Sequence, residues 1–149
     1  MKTFASMAVA MRMAAIAVTM LLIWMLLIWT LLPAAGHERG TQTIQITIRH
    51  SRFIPARFTV RRGATVRFVI TNTDPIDHEF ILGDEAVQRR HETGTEPEHG
   101  SVPGEVSVPP GMTAETTYVF SRAGLLLIGC HAPGHYAYGM RGEVWVAQR

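Results

Sequence analysis

The sequence predicts an all-β sandwich of about seven or eight short strands behind one N-terminal hydrophobic helix. Three observations point there. Short stretches alternate apolar and polar positions and are rich in β-branched residues, turn signals such as Asp74-Pro75 and Pro109-Pro110-Gly111 punctuate them, and strong helical periodicity is missing after the leader. A chain of 149 residues suits one domain besides the apolar N-terminus.

Residues 1–36 read as a signal peptide or N-terminal membrane anchor, 37–42 as a linker and 43–149 as the domain. Lys2 and Arg12 precede a stretch, Met13 to Gly36, without a charge. Its apolar span is longer than a usual signal core and long enough to cross a bilayer as a helix. Small residues in Leu32-Pro33-Ala34-Ala35-Gly36 suit cleavage, whereas Trp24, Trp29 and the dense Leu/Ile centre suit retention as an anchor over residues 13–32, so both readings stand. In either case the basic N-terminus stays cytoplasmic, and an exported, periplasmic or otherwise extracytoplasmic domain follows.

Thr43 to His50 alternates through a whole strand, with Ile44, Ile46 and Ile48 on one face. Phe53-Ile54-Pro55 is an edge or a bend, since Pro55 donates no ladder hydrogen bond. Phe58 to Val60 is again extended, Arg61-Arg62-Gly63-Ala64 turns, and Thr65 to Asn72 is a strand with Val66, Phe68 and Ile70 inward. After the turn at Asn72 to Asp77, strand parity sets His78, Phe80 and Leu82 on one face. Val102 to Val108 and Thr116 to Phe120 are the next strands. The continuous apolar run Leu125 to Ile128 reads as a strand buried on both sides, and Gly142 to Val146 closes the domain.

Gly83 to Gly100 breaks this pattern as a long polar segment, with Glu85 to Arg90 able to make one helical turn. The reading favoured here is a solvated insertion. His91 and His99, with Glu92, Glu96 and Glu98, offer imidazole and carboxylate donors for a weaker second metal site, but nothing in the segment suggests rigidity.

The chemistry concentrates in Gly129 to Met140, where Cys130, His135 and Met140 stand at intervals of five. A thiolate, an imidazole and a thioether suit copper, and two His with one Cys and a weak axial Met make a blue-copper electron-transfer site. The missing imidazole is best supplied by His78. Pro133-Gly134 bends the loop back, and Gly139 removes a side chain where backbone would approach the metal. Extended backbone turns His131 away from its neighbour Cys130, which predicts an exposed side chain.

On these residues the chain resembles the cupredoxin family, with Cys-x4-His-x4-Met spacing like the azurin and auracyanin branch rather than the shorter plastocyanin loop. The resemblance runs from about Thr41 to the C-terminus. It implies a Greek-key cupredoxin sandwich holding one type 1 copper that cycles between Cu(I) and Cu(II), with His78, Cys130 and His135 equatorial and Met140 axial. Many relatives carry Asn after the first His to tie the two ligand loops together; Glu79 stands here.

All 12 acidic residues follow the leader, and 12 of the 14 basic ones do, so the domain is formally neutral and the overall pI misleads. Basic residues form no cluster, so no nucleic-acid partner is expected. The lone Cys excludes an internal disulfide. Four roles follow. The first is a one-electron carrier serving redox protein partners, a cytochrome or a membrane oxidoreductase. The second is a copper-binding protein of tolerance or delivery that meets copper-handling proteins. A copper enzyme would need a second catalytic centre that the sequence does not present, so no enzymatic activity is expected. An immunoglobulin-like module would hold the same sandwich without the metal. Zinc is a poorer match, because Met is a weak zinc donor.

Overall fold

The computed structural model describes residues 20–25, 40–94, 99–100 and 102–148. The chain divides into two compact units, Met1–Glu38 and Arg39–Arg149. In the first, residues 20–25 are helical, and the remainder of the predicted leader lies outside the described residues. Among the described residues no helix is long and apolar enough to cross a membrane.

The second unit is a two-layer β-sandwich with nine strands among its described residues. These are β1 (Gln42–Ile48), β2 (Phe53–Ile54), β3 (Arg57–Arg61), β4 (Thr65–Asn72), β5 (His78–Gly83), β6 (Glu105–Val108), β7 (Thr113–Val119), β8 (Gly124–Gly129) and β9 (Arg141–Ala147). One sheet has the order β2-β1-β4-β7 and the other β3-β9-β8-β5-β6. The pairs β1–β4 and β3–β9 are parallel and join strands distant in sequence, so neither sheet is a simple meander.

Alternation supplies the core. Ile46, Ile48, Val66, Phe68 and Ile70 from one sheet meet Phe80, Leu82, Val108, Ile128, Val144 and Val146 from the other, all buried. Phe68 is central, with its ring centroid 5.1 Å from Phe80 and 6.3 Å from Phe120. The predicted inner faces of β1, β4 and β5 are observed, and Phe53 and Ile54 form the expected short edge strand.

Two expectations fail. The run Leu125 to Ile128 is not buried on both sides: Leu125 is 43% exposed, because β5 pairs with β8 only from Leu127 onward and leaves its first half uncovered. The segment after Gly83 is no solvated insertion either. It forms a helix, Glu85–Thr93, capped by Asp84, whose carboxylate accepts the Val87 N–H at 3.0 Å. The helix packs on β5 and β8 and buries Gln88, whose amide donates to the carbonyls of Ile81 and Leu127. Its mostly polar composition concealed this, since polar side chains, Gln88 on β5 and β8 and His91 on Glu105, fasten it rather than an apolar stripe.

Candidate metal centre

Two strand ends and one loop converge at one edge of the sandwich. His78 opens β5, Cys130 follows β8 and Met140 precedes β9. The β8–β9 register pairs Gly129 with Arg141, so the next residues, Cys130 and Met140, also face each other, and the Cys130 N–H donates to the Met140 carbonyl at 3.2 Å. Between them the chain turns tightly. The N–H of His135 donates to the Ala132 carbonyl at 2.9 Å, and that of Met140 to the His135 carbonyl at 2.9 Å. Gly134 and Gly139 adopt φ of 81° and 94°, which favours glycine at both. At Gly139 this conformation, not crowding, is the constraint, because an added Cβ would meet nothing nearer than Arg52 at 3.9 Å.

Nδ1 of His78 lies 3.2 Å from Nδ1 of His135, and the Cys130 sulfur lies 3.3 Å from Nδ1 of His135 and 3.8 Å from Nδ1 of His78. Two donors bound to one first-row ion at trigonal or tetrahedral angles stand about 3.3–3.7 Å apart. The three separations lie within about 0.1 Å of that range, so the predicted donors stand close to the spacing of ligands around a shared ion. Met140 is fully buried in the same core cluster as Cys130.

The surroundings orient these atoms. Nε2 of His78 is 3.0 Å from Oδ2 of Asp74, and since a carboxylate only accepts, that nitrogen carries the proton and Nδ1 presents its lone pair to the site. Asp74 is held in turn by the N–H groups of His50 and Ser51, each at 2.7 Å. Those two residues form the tip of the β1–β2 hairpin with φ of 53° and 51°. Left-handed backbone costs about 1–2 kcal/mol per residue, while a hydrogen bond to a charged group contributes about 1.5–3 kcal/mol. The bonds to Asp74 thus offset the strain of the turn.

The electrostatics follow from this packing. Burial alone would raise the Asp74 carboxyl, but hydrogen bonds from Ser51, His50 and His78 outweigh it and hold the group below its ordinary range. Burial lowers His78 despite Asp74, which favours the neutral imidazole. Burial pushes the Cys130 thiol up to about 11, although the N–H groups of Glu79 and Ala132 favour its thiolate. A metal-free site therefore holds a neutral thiol, and a soft cation would displace its proton.

Glu79 does the tying expected of Asn. Its N–H donates to the Cys130 sulfur at 3.3 Å, and its carboxylate accepts the His131 N–H at 3.0 Å. His131 is not exposed as predicted. Its ring stacks on Tyr136 at 4.6 Å and its Nε2 meets Oε1 of Gln88 at 2.8 Å, because the helix covers the side toward which alternation turns it. Burial, with His91 and His99 nearby, lowers it to about 4.

His91 and His99 form a second group with Glu105 as the carboxylate partner, and of the carboxylates expected there Glu96 and Glu98 lie outside the described residues. The signal for Glu105 was a charged residue opening a strand whose neighbours are apolar. Asp74 read only as turn chemistry, and the hairpin tip carried none of the Asn-Gly chemistry that normally marks such a turn.

The sequence profile described as a Cupredoxin-like domain matches residues 20–99. The chain is 39% identical over 112 residues to the copper-resistant cuproprotein CopI of Rubrivivax gelatinosus, covering 72% of this chain and 68% of that one. It is 31% identical over 140 residues to the protein of the same name from Pseudomonas aeruginosa, covering 72% and 77%. Among solved structures, auracyanin A of Chloroflexus aurantiacus, a blue copper protein, superposes with a TM-score of 0.59 at 24% identity, over 72% of this chain and 99% of the other. Auracyanin B gives a TM-score of 0.61 at 20% identity, over 71% and 88%, and both likenesses speak for the fold alone. With sandwich, profile and relatives in agreement, the chain belongs to the cupredoxin-like family.

Proposed function

We propose that this protein binds copper outside the cytoplasmic membrane and serves copper tolerance, with His78, Cys130, His135 and Met140 as the residues that would hold the ion. The observation that carries the copper reading is the convergence of two imidazole Nδ1 atoms and one sulfur near ligand spacing, with Met140 buried opposite Cys130. Bound there, copper would supply one-electron redox chemistry.

The chain's own residues do the rest. Asp74 fixes the tautomer of His78, Glu79 donates to the sulfur, and the 130–140 turn returns His135 and Met140 beside Cys130. Donors prepared in this way rearrange little when an ion enters or changes charge. The tolerance role is supported by two relatives above 30% identity that carry a copper-resistance name. Export is supported by the basic N-terminus and the apolar run behind it.

A second reading is an electron carrier for a cytochrome or a membrane oxidoreductase. Tyr138 in the ligand loop is 82% exposed, and Ile76, in the turn leading to His78, is 45% exposed. An apolar rim of this kind suits a brief redox encounter.

The test pairs spectroscopy with growth. Full-length protein and Cys130→Ser are produced in a copper-sensitive bacterial host, and copper titration of each purified protein is followed by visible absorption. The tolerance reading expects an intense thiolate-to-copper band saturating at one equivalent, and host growth in copper restored only by the unaltered chain. A strong band without protection would favour the carrier. A band that survives Cys130→Ser would overturn the copper centre itself.

A further inference from the structure

We propose that His91, His99 and Glu105 form a second metal site, for a divalent first-row ion such as copper(II) or zinc, coupled to the thiolate centre through Glu79. Two of the donors come from regular structure and the third is tied to it. His91 lies in the helix, Glu105 opens β6, and His99 is pinned to β6 by its N–H, which donates to Oγ of Ser107 at 2.8 Å, and by its carbonyl, which accepts the Ser107 N–H at 3.1 Å. This fixed backbone removes the objection that the segment lacks rigidity.

The hydrogen bonding leaves room for a cation. Nδ1 of His91 lies 2.9 Å from the Val87 carbonyl, which only accepts, so Nδ1 carries a proton. Without a second proton on the ring, Nε2 turns a lone pair to Oε2 of Glu105, 3.2 Å away. Two acceptors in that position need a cation between them, either a second proton or a metal ion. Nδ1 of His99 stands 3.8 Å from the same Oε2, too far for a hydrogen bond but suited to two ligands of one ion. The His91 and His99 rings are 4.9 Å apart, and the side chains of His91, His99 and Glu105 are each 5% exposed. Arg90 engages the other oxygen, Oε1, at 3.3 Å. Close by, His131, its ring 5.8 Å from that of His91, keeps Nδ1 buried with no hydrogen-bond partner among the described residues, and a buried lone pair of this kind suits a cation or its hydration water.

The donor set selects the ion. Two imidazoles and a carboxylate without sulfur suit borderline divalent ions and disfavour Cu(I), the reverse of the preference at Cys130 and Met140. Glu79 joins the two places. One oxygen accepts the His131 N–H at 3.0 Å and the other lies 3.5 Å from Nε2 of His99, while the Glu79 N–H reaches the Cys130 sulfur at 3.3 Å. An ion that draws His99 toward Glu105 alters the load on Glu79 and, through it, the hydrogen bond to sulfur. The site stands on its own donors; only the coupling rests on the copper reading above.

The experiment is a Cu(II) titration of the full chain, followed by visible absorption and electron paramagnetic resonance, and repeated in Glu105→Gln and in the double variant His91→Ala/His99→Ala. Far-UV circular dichroism checks each fold. The expected result is a second equivalent whose resonance has the wide copper splitting and nitrogen fine structure of an imidazole site. Glu105→Gln should weaken it about tenfold or more, and the double variant should abolish it, with the thiolate band retained in both. Zinc should displace only this second copper and shift the thiolate band. The site is refuted by a single equivalent in the unaltered chain, or by a second resonance that persists in the double variant. An unmoved thiolate band on zinc loading refutes the coupling. A second resonance without any thiolate band would leave this site standing and remove the copper reading of Cys130.

Discussion

The backbone N–H of Glu79 points at the sulfur of Cys130 from 3.3 Å, across the junction of β5 and the loop after β8. The same residue places its carboxylate on the N–H of His131, so one side chain and its amide lock the segments that carry His78 and Cys130 together. An Asn there would make a neutral tie, whereas Glu adds negative charge beside the site. That charge favours the more positive oxidised ion. Glu79→Gln should therefore raise the reduction potential of the copper-loaded protein by tens of millivolts while preserving the thiolate band, as read by a redox titration followed in the visible.

Asp74 is the residue that aims His78. Asp74→Asn keeps the shape but removes the charge and one acceptor from a group serving three donors: the N–H groups of His50 and Ser51 and Nε2 of His78. Metal affinity should fall about 10–100-fold by chelator competition. The metal-free fold should lose about 2 kcal/mol by urea denaturation at pH 7. Because the folded carboxyl lies below its ordinary 3.8, its stabilisation is complete above that value and is lost as pH falls through the lower folded one. An unchanged acid limb in Asp74→Asn would contradict this assignment.

Loading should release a proton. The buried thiol is raised to about 11, so at neutral pH the metal-free site is protonated at sulfur, while His78 is shifted toward its neutral form and gives up none. Apparent copper affinity should rise about tenfold per pH unit between about pH 7 and 9. Competition titrations across that range check the slope, and Cys130→Ser should flatten it.

Gly142 marks the tightest backbone approach near the site. A Cβ there would run into the Ala56 carbonyl oxygen, which accepts the Glu143 N–H at 2.8 Å, and would meet Ile128 at 2.9 Å. Neither backbone can yield without opening the Arg57–Glu143 end of the β3–β9 ladder. Gly142→Ala should cost about 1–3 kcal/mol and lower the melting temperature accordingly. An unaltered melt would show that the ladder shifts freely.

Period-two alternation was enough to place Ile46, Ile48, Val66, Phe68, Ile70 and Phe80 in the core, because strand parity depends on nothing beyond the backbone. The candidate donor set was likewise legible as a cluster, since Cys130, His135 and Met140 share one short loop and His78 begins a strand whose parity points inward. What the chain could not announce was everything that depends on a partner distant in sequence. Asp74 meets a hairpin tip some two dozen residues earlier, Glu105 meets His91 across the helix-to-β6 connection, and Gln88 bonds to β8 and to the ring of His131. The exposure of Leu125 depended on where β5 ends beside β8. Local sequence sets the direction in which each side chain points; only the register of strands and the docking of the helix decide what it meets there, because a polar residue gains its hydrogen bonds from whatever the fold brings within about 3 Å.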